Sequence, residues 1–267
     1  METFIYKTTE NYHENYGHLI WTLAKTDFKL RYQNSFLGYI WAILTPLLLF
    51  MVLNFVFSSI FCNRGGDNRL YSLGLLVGLI LYSFFQDGTT SGMRSLQAKS
   101  SLVSKIYLSR WTIIMASTIH SAMIFLTNLF VIIIFLVWYR FLPTFNAILL
   151  FLLFSCLMYI IILSMAMIIA PLFVKFRDIA MIWEVALRIM FYASPIFYPL
   201  QMLPEWIQQI LLINPVAFII HFTKESMFNN HFLHLWQLAL FFMLCACFFI
   251  FSIWAYTKLI PKVAENL

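Results

Sequence analysis

The chain has 267 residues, of which 62% are apolar and 10% charged, against about 45–50% and 25% in an ordinary soluble domain. Its roughly 165 apolar residues suffice for about six spans of about 21 residues with little left over, so a sizeable soluble domain is excluded. The net charge of +6 comes from basic residues spread among short loops, which speaks for membrane topology and against a nucleic-acid partner. Aromatics at 19% suit membrane-interface belts and, equally, surfaces that stack on sugars.

The first 34 residues carry Glu2, Glu10, Glu14 and Asp27 and have no early apolar core, so they are not expected to be a cleaved signal peptide. Residues 10–34 read as an amphipathic helix on the membrane surface. Tyr16, Leu19, Ile20, Leu23 and Leu30 recur at helical spacing, with Lys25, Lys29 and Arg31 facing anionic headgroups. A plain cytoplasmic helix leading into the first span is the alternative.

Spans are expected at about 37–61, 70–85, 111–138, 146–173, 179–200 and 233–257, the first two separated by the turn-forming stretch 63–68. Lys and Arg should then gather in alternate loops. Lys7, Lys25, Lys29, Arg31, Arg94, Lys99, Lys105, Arg110, Lys175, Arg177, Lys258 and Lys262 fall on the proposed cytoplasmic side, against Arg64, Arg69, Arg140 and Lys224 on the other. Both termini are therefore expected to be cytoplasmic.

Arg188 falls inside the fifth span, near the bilayer midplane, where an unpaired Arg costs about 2.5–3.5 kcal/mol. Glu184, four residues earlier, stands in the favourable order for a helical pair. Such a pair either braces the bundle or attracts an anionic headgroup. The run Ser194-Pro195-Ile196-Phe197-Tyr198-Pro199 breaks the helix. Two short helices follow within 199–230, one starting near Pro204 and the other with Asn214 as N-cap and Pro215 at its first position. At about 10–14 residues each they are too short to span, so they are expected to be re-entrant or interfacial at the outer face.

Clustered acids or histidines for catalysis are missing from the sequence. His231 and His234 lack an evident third metal ligand, and Cys245 and Cys247 sit on opposite sides of a helix. No G-x-x-x-x-G-K-[ST] phosphate loop occurs, so the chain has no such ATP site of its own. Gly74 and Gly78 permit close helix approach. The segment 88–110 holds four basic residues and no acid, and reads as a cytoplasmic loop, either a docking element for a partner or a topology signal. The tight connection Phe173-Val174-Lys175-Phe176-Arg177-Asp178 is a second candidate contact.

The run from Asp27 to Leu47, DFKLRYQNSFLGYIWAILTPL, resembles the opening signature of permease subunits of ATP-binding-cassette exporters of bacterial surface polysaccharides (O-antigen, capsule and teichoic acid). Phe176-Arg177-Asp178, Ser194 to Pro199 and Asn214-Pro215 follow in the family's order, so the resemblance covers nearly the whole chain. One departure is Tyr107-Leu108-Ser109-Arg110, where the family often carries a Phe-Pro-Arg-like sequence. The resemblance implies one all-α polytopic membrane domain over 1–267 in the bacterial inner membrane. It implies a homodimeric pathway driven by two copies of a separate ATPase, with ATP and Mg bound in that partner and no cofactor in this chain. The implied substrate is a glycan or polyol-phosphate chain on a polyprenyl pyrophosphate lipid.

Roles implied in this way assign Lys99, Leu102, Lys105, Tyr107, Phe176, Arg177 and Asp178 to coupling with the ATPase. Tyr39, Trp41, Glu184, Arg188, Phe191 and Tyr192 go to the substrate path, where the aromatic residues either stack on sugars or simply face lipid and neighbouring helices. A small-lipid or drug exporter is the alternative within transport; a membrane transferase or a passive channel would be a different class.

Overall fold

The computed structural model describes residues 16–32, 38, 40–62, 68–100, 109–229 and 231–263. Regular structure among them is helical throughout: α1 (Tyr16–Tyr32), α2 (Ile40–Cys62), α3 (Asn68–Ala98), α4 (Arg110–Trp138), α5 (Phe145–Lys175), α6 (Ile179–Ala193), α7 (Glu205–Ile213), α8 (Pro215–Phe228) and α9 (Leu235–Val263), with a 3₁₀ turn at Leu200–Met202. Five of these, α2 to α5 and α9, are long and apolar enough to cross a membrane. The short pair α7 and α8 meets at 114°. Asn214 sets that corner, its side-chain oxygen accepting from the Val216 N–H at 3.0 Å with Pro215 opening α8, as its sequence signature predicts.

The centre of the bundle is α3: 72% of its most apolar window is buried, against 17% for α2 and for α9. It also outruns its expected span by more than ten residues, because the segment from Gly88 to Ala98, expected as the start of a loop, continues as helix. That stretch is polar in composition but packs by smallness. Gly88 faces Ile162 and Gly92 faces Ala166 so closely that α3 and α5 touch nearly backbone to backbone, the contact that holds helices together where hydrophobic driving force is absent. Near its other end Gly74 lies against the Lys224 and Phe228 side chains, and Gly78 against Ile220 and Ile196, so side chains of α8 and of the segment after α6 fill the space these glycines leave.

The expected fifth span, 179–200, needs correction. Its helix, α6, stops at Ala193, a rise of about 22 Å against a hydrocarbon core of about 30 Å. Pro195 has no N–H to continue the ladder, and the Ser194 hydroxyl turns back to the Met190 carbonyl at 2.8 Å. The passage is nonetheless completed by irregular backbone. Ile179 starts beside Met93 and Phe173, and the Tyr71 hydroxyl donates to the Phe197 carbonyl at 2.7 Å. Residues 71 to 93 of α3 cover about 33 Å, so α6 with its extended tail runs the length of the bundle antiparallel to α3.

The ends of the bundle are consistent with this path. Leu96, Ile113, Ile114, Ala170 and Tyr256 share one cluster, so the end of α3, the start of α4 and the ends of α5 and α9 lie together. α1 joins this end. Its Ile20 and Ala24 bury against Ala116 of α4, and two ion pairs tie it to α3 and the turn that follows: Arg31 to Asp87 at 3.3 Å and Asp27 to Lys99 at 2.5 Å. The apolar stripe expected to lie on lipid is thus partly covered by α4, while Trp21 and Leu30 are exposed. Residues 10–15 and 33–34 of the expected surface helix lie outside the described residues.

Candidate functional site

α6 is sparsely covered for a helix beside the centre of the bundle. It runs along the central helix yet buries a single side chain, Leu187. The Tyr82 hydroxyl donates to the Leu187 carbonyl, which sets α6 level with the middle of α3. There Glu184 and Arg188 form the expected i,i+4 pair at 2.6 Å, with 62% and 74% of the side chains exposed. Two charges at mid-depth are costly against acyl chains, so this face of α6 belongs against water or protein.

Around the pair lies a cleft of about 470 Å³ between α2, α3 and α6, lined by Gln86, Thr90, Arg94, Glu184, Arg188 and Tyr192 among others. Phe191 meets the Tyr82 ring edge-on at 5.1 Å and the Tyr192 ring at 5.4 Å, and Phe197 closes the aromatic group. A second cleft, about 680 Å³, adjoins it through Leu49, Ser83 and Gln86 and is walled by Arg31, Trp41, Thr45, Asp87 and Asn128. Trp41 stands 42% exposed at this second cleft. The structure therefore gathers Trp41, Glu184, Arg188, Phe191 and Tyr192 around the middle of α3; Tyr39 lies outside the described residues.

Sequence reasoning missed the α3 and α4 walls of these clefts. Gln86 and Asp87 fall between the expected span 70–85 and the expected loop 88–110, yet both sit on a continuous helix and line these clefts. The signal for Asn128 is that it is a lone amide inside an apolar span, where lipid offers it nothing to bond.

At the bundle end shared by α1 and α9, the turn after α5 exposes Phe176, Arg177 and Asp178. Phe176 N–H closes α5 on the Leu172 carbonyl at 2.8 Å, and the Asp178 carbonyl accepts from Met181 and Ile182 to begin α6. A tight turn thus joins α5 to the sparsely covered α6. Lys99 is engaged with Asp27 and fastens α1, while Leu102, Lys105 and Tyr107 lie outside the described residues. His231 and His234 sit in the connection before α9, and no cluster of three metal-ligating side chains occurs among the described residues.

The family model for the ABC-2 type transporter matches residues 18–228, most of the chain and all of the cleft-lining helices. The chain belongs to the ABC-2 type transporter family. Curated relatives include two proteins of Klebsiella pneumoniae, each named O-antigen export system permease protein RfbA. They are 27% and 28% identical over 212 residues, covering 79% of this chain and 81% of each relative. A Myxococcus xanthus protein of the same name is 23% identical over 218 residues, 81% of this chain and 82% of its own length. This ABC-2 chain is thus a multi-pass membrane subunit of a transporter, and the family match ends at Phe228, before α9.

Proposed function

We propose that this ABC-2 subunit exports a polyprenyl-pyrophosphate-linked polysaccharide of O-antigen type from the cytoplasmic to the outer side of the bacterial inner membrane. The observation that carries the reading is the exposed Glu184–Arg188 pair at mid-depth on an uncovered helix, beside Phe191 and Tyr192. A charged, aromatic face of this kind suits a hydrated, phosphate-bearing glycan in transit, and the names of the relatives point the same way.

In this reading two copies set their α2 and α6 faces opposite each other and enclose the path. Two copies of a separate ATPase bind ATP and Mg, dock at Phe176 to Asp178 and the 97–108 segment, and work in repeated steps, since a long glycan fits no closed cavity. The chain itself performs no catalysis. The bundle end holding α1 faces the cytoplasm, and α7 and α8 face outward. Arg188 attracts the pyrophosphate; Trp41, Phe191 and Tyr192, with Tyr39, offer flat faces to sugar rings.

Depleting the protein in its native bacterium tests this. Lipid-linked glycan should accumulate inside while surface polymer disappears, and an ATPase-dead partner should give the same result; unchanged surface glycan would refute the assignment. One feature favours a second reading, export of a small lipid or drug: an apolar groove of about 680 Å³ between α7, α8 and α9, lined by Pro215, Phe218, Trp236 and Phe241 among others. ATPase stimulation by a small amphiphile and none by lipid-linked glycan would favour it.

A further inference from the structure

We propose that the cleft between α1, α2, α3 and α4 is a saccharide subsite, built from Asn128, Gln86 and Trp41, which holds a sugar ring of the lipid-linked substrate. The inference rests on the export reading for the class of substrate, and it assigns a place and residues to that substrate.

Asn128 is the starting observation. It is 4% exposed and lines the cleft, yet its Oδ1 accepts no hydrogen bond. Buried polar atoms in folded proteins are nearly always partnered, so an unpartnered amide oxygen on a cleft wall is poised to accept a hydrogen bond from a guest. The depth adds weight. Phe125 of α4 stacks on Phe84 of α3 with ring centres 4.4 Å apart, so Asn128, one turn further along α4, lies near the middle of the bundle. Water is scarce there unless the cleft admits it. The last torsion of an amide is broad and two-fold, so Asn128 can present either its oxygen or its NH₂ group to a guest.

The rest of the wall fits a polyhydroxylated ring better than a phosphate. Gln86 contributes a second amide, and Thr45 has already donated its hydroxyl proton to the Trp41 carbonyl at 2.9 Å, leaving lone pairs free to accept. The Arg31 guanidinium is balanced by Asp87 at 3.3 Å, so these two charges cancel. The neighbouring cleft instead holds Arg94 and Arg188 against Glu184 alone. Where the Asn128 cleft offers hydroxyl partners and an indole face, the cleft around Glu184 and Arg188 offers excess positive charge. The two meet at Leu49, Ser83 and Gln86, so a sugar joined to a phosphate is accommodated across the junction.

The test uses the full chain in lipid nanodiscs and measures binding of farnesyl diphosphate alone and of farnesyl diphosphates carrying glucose, galactose or N-acetylglucosamine. At least one sugar-bearing probe should bind the unaltered chain about ten-fold more tightly than the bare diphosphate, the value of roughly one well-placed polar contact with partial stacking. Asn128→Leu and Trp41→Leu should each erase that difference while leaving the bare diphosphate unaffected, and Trp41→Phe should keep most of it. Trp41 is exposed, so its replacement cannot act by unfolding the core. Equal binding of all four probes, or an Asn128→Leu chain that still discriminates, overturns the proposal. Surface glycan in the depletion strain is a separate readout. If it persists while discrimination is seen in nanodiscs, the export reading fails and the subsite stands; if it vanishes while discrimination is absent, the reverse holds.

Discussion

Replacing Gly92 by Ala places a methyl group 2.4 Å from the Cβ of Ala166 and 3.3 Å from Cγ2 of Thr118. Carbon atoms in ordinary contact stand about 3.5–4.0 Å apart, so α3 and α5 must separate locally by more than about 1 Å. Neither neighbour can swing away: the Ala166 methyl is fixed to its backbone, and the Thr118 hydroxyl is held by the Met115 carbonyl at 2.9 Å. Overpacking of this kind costs about 1–3 kcal/mol, of which the better helix propensity of Ala returns up to about 1 kcal/mol. A net loss of about 1–2 kcal/mol is expected, and at about 2–4 °C per kcal/mol for a chain of this size the melting temperature should fall by several degrees. Thermal unfolding in detergent, followed by the monodisperse fraction remaining on gel filtration, measures it. Adding Ala166→Gly removes the opposing methyl and should restore most of the loss. A Gly92→Ala chain that melts with the parent, or a double variant that shows no recovery, would refute the claim that α3 and α5 are in near-backbone contact at this point.

Lys224→Met should destabilise by about 1–3 kcal/mol, because Nζ donates to the Pro195 and Ile196 carbonyls at 2.9 and 3.1 Å and both would lose their partner. Faster proteolytic cleavage within 194–199 would report it. Arg140 holds a left-handed backbone at φ 52° just beyond α4, so Arg140→Gly should stabilise the chain by up to about 1 kcal/mol in the same melting assay. Arg188→Leu removes an exposed pair worth less than about 1 kcal/mol. Melting should therefore stay within about 2 °C of the parent while glycan export in cells slows; a collapse of folded protein would instead give Arg188 a bracing role.

The parts of the fold that were legible in the sequence are those in which one helix carries its own signal. Long apolar runs locate α2, α4, α5 and α9, since lipid-facing helices need not alternate with polar residues to be recognised. Glu184 and Arg188 are legible for the same reason: an i,i+4 pair is local, and its partners are four residues apart on one helix. Asn214 and Pro215 announce α8 through capping chemistry that involves two adjacent residues.

What the sequence conceals are the contacts made across it. The polar second half of α3 resembles a loop by composition, and only its pairing with Ile162 and Ala166 explains why Gly88 and Gly92 are helical and buried. Lys99 reads as a free cytoplasmic charge until Asp27, 72 positions away, is found to hold it. Lys224 reads as an outer-loop cation, but it reaches from α8 to the broken end of α6, a link that no spacing rule anticipates.

That link bears on how α6 is positioned. The helix is anchored along its length by the Tyr82 hydroxyl at Leu187, by the Trp183 indole N–H on the Thr89 hydroxyl at 3.3 Å, and beyond its end by Tyr71 at Phe197 and Lys224 at Pro195 and Ile196. All four anchors lie on the side facing α3 and α8, and the opposite side, with Met181, Ile182, Val185 and Ile189 exposed, is left bare. A helix fixed by hydrogen bonds on one side presents its other side in a defined register. Glu184 and Arg188 therefore hold their places at mid-depth without being packed, as the proposed export of a polymer past them requires. Replacing Tyr82 by Phe removes one anchor at little cost in volume. If register governs transport, Tyr82→Phe should reduce export more than it lowers the melting temperature, and an unchanged export rate in cells at equal protein level would separate α6 positioning from transport.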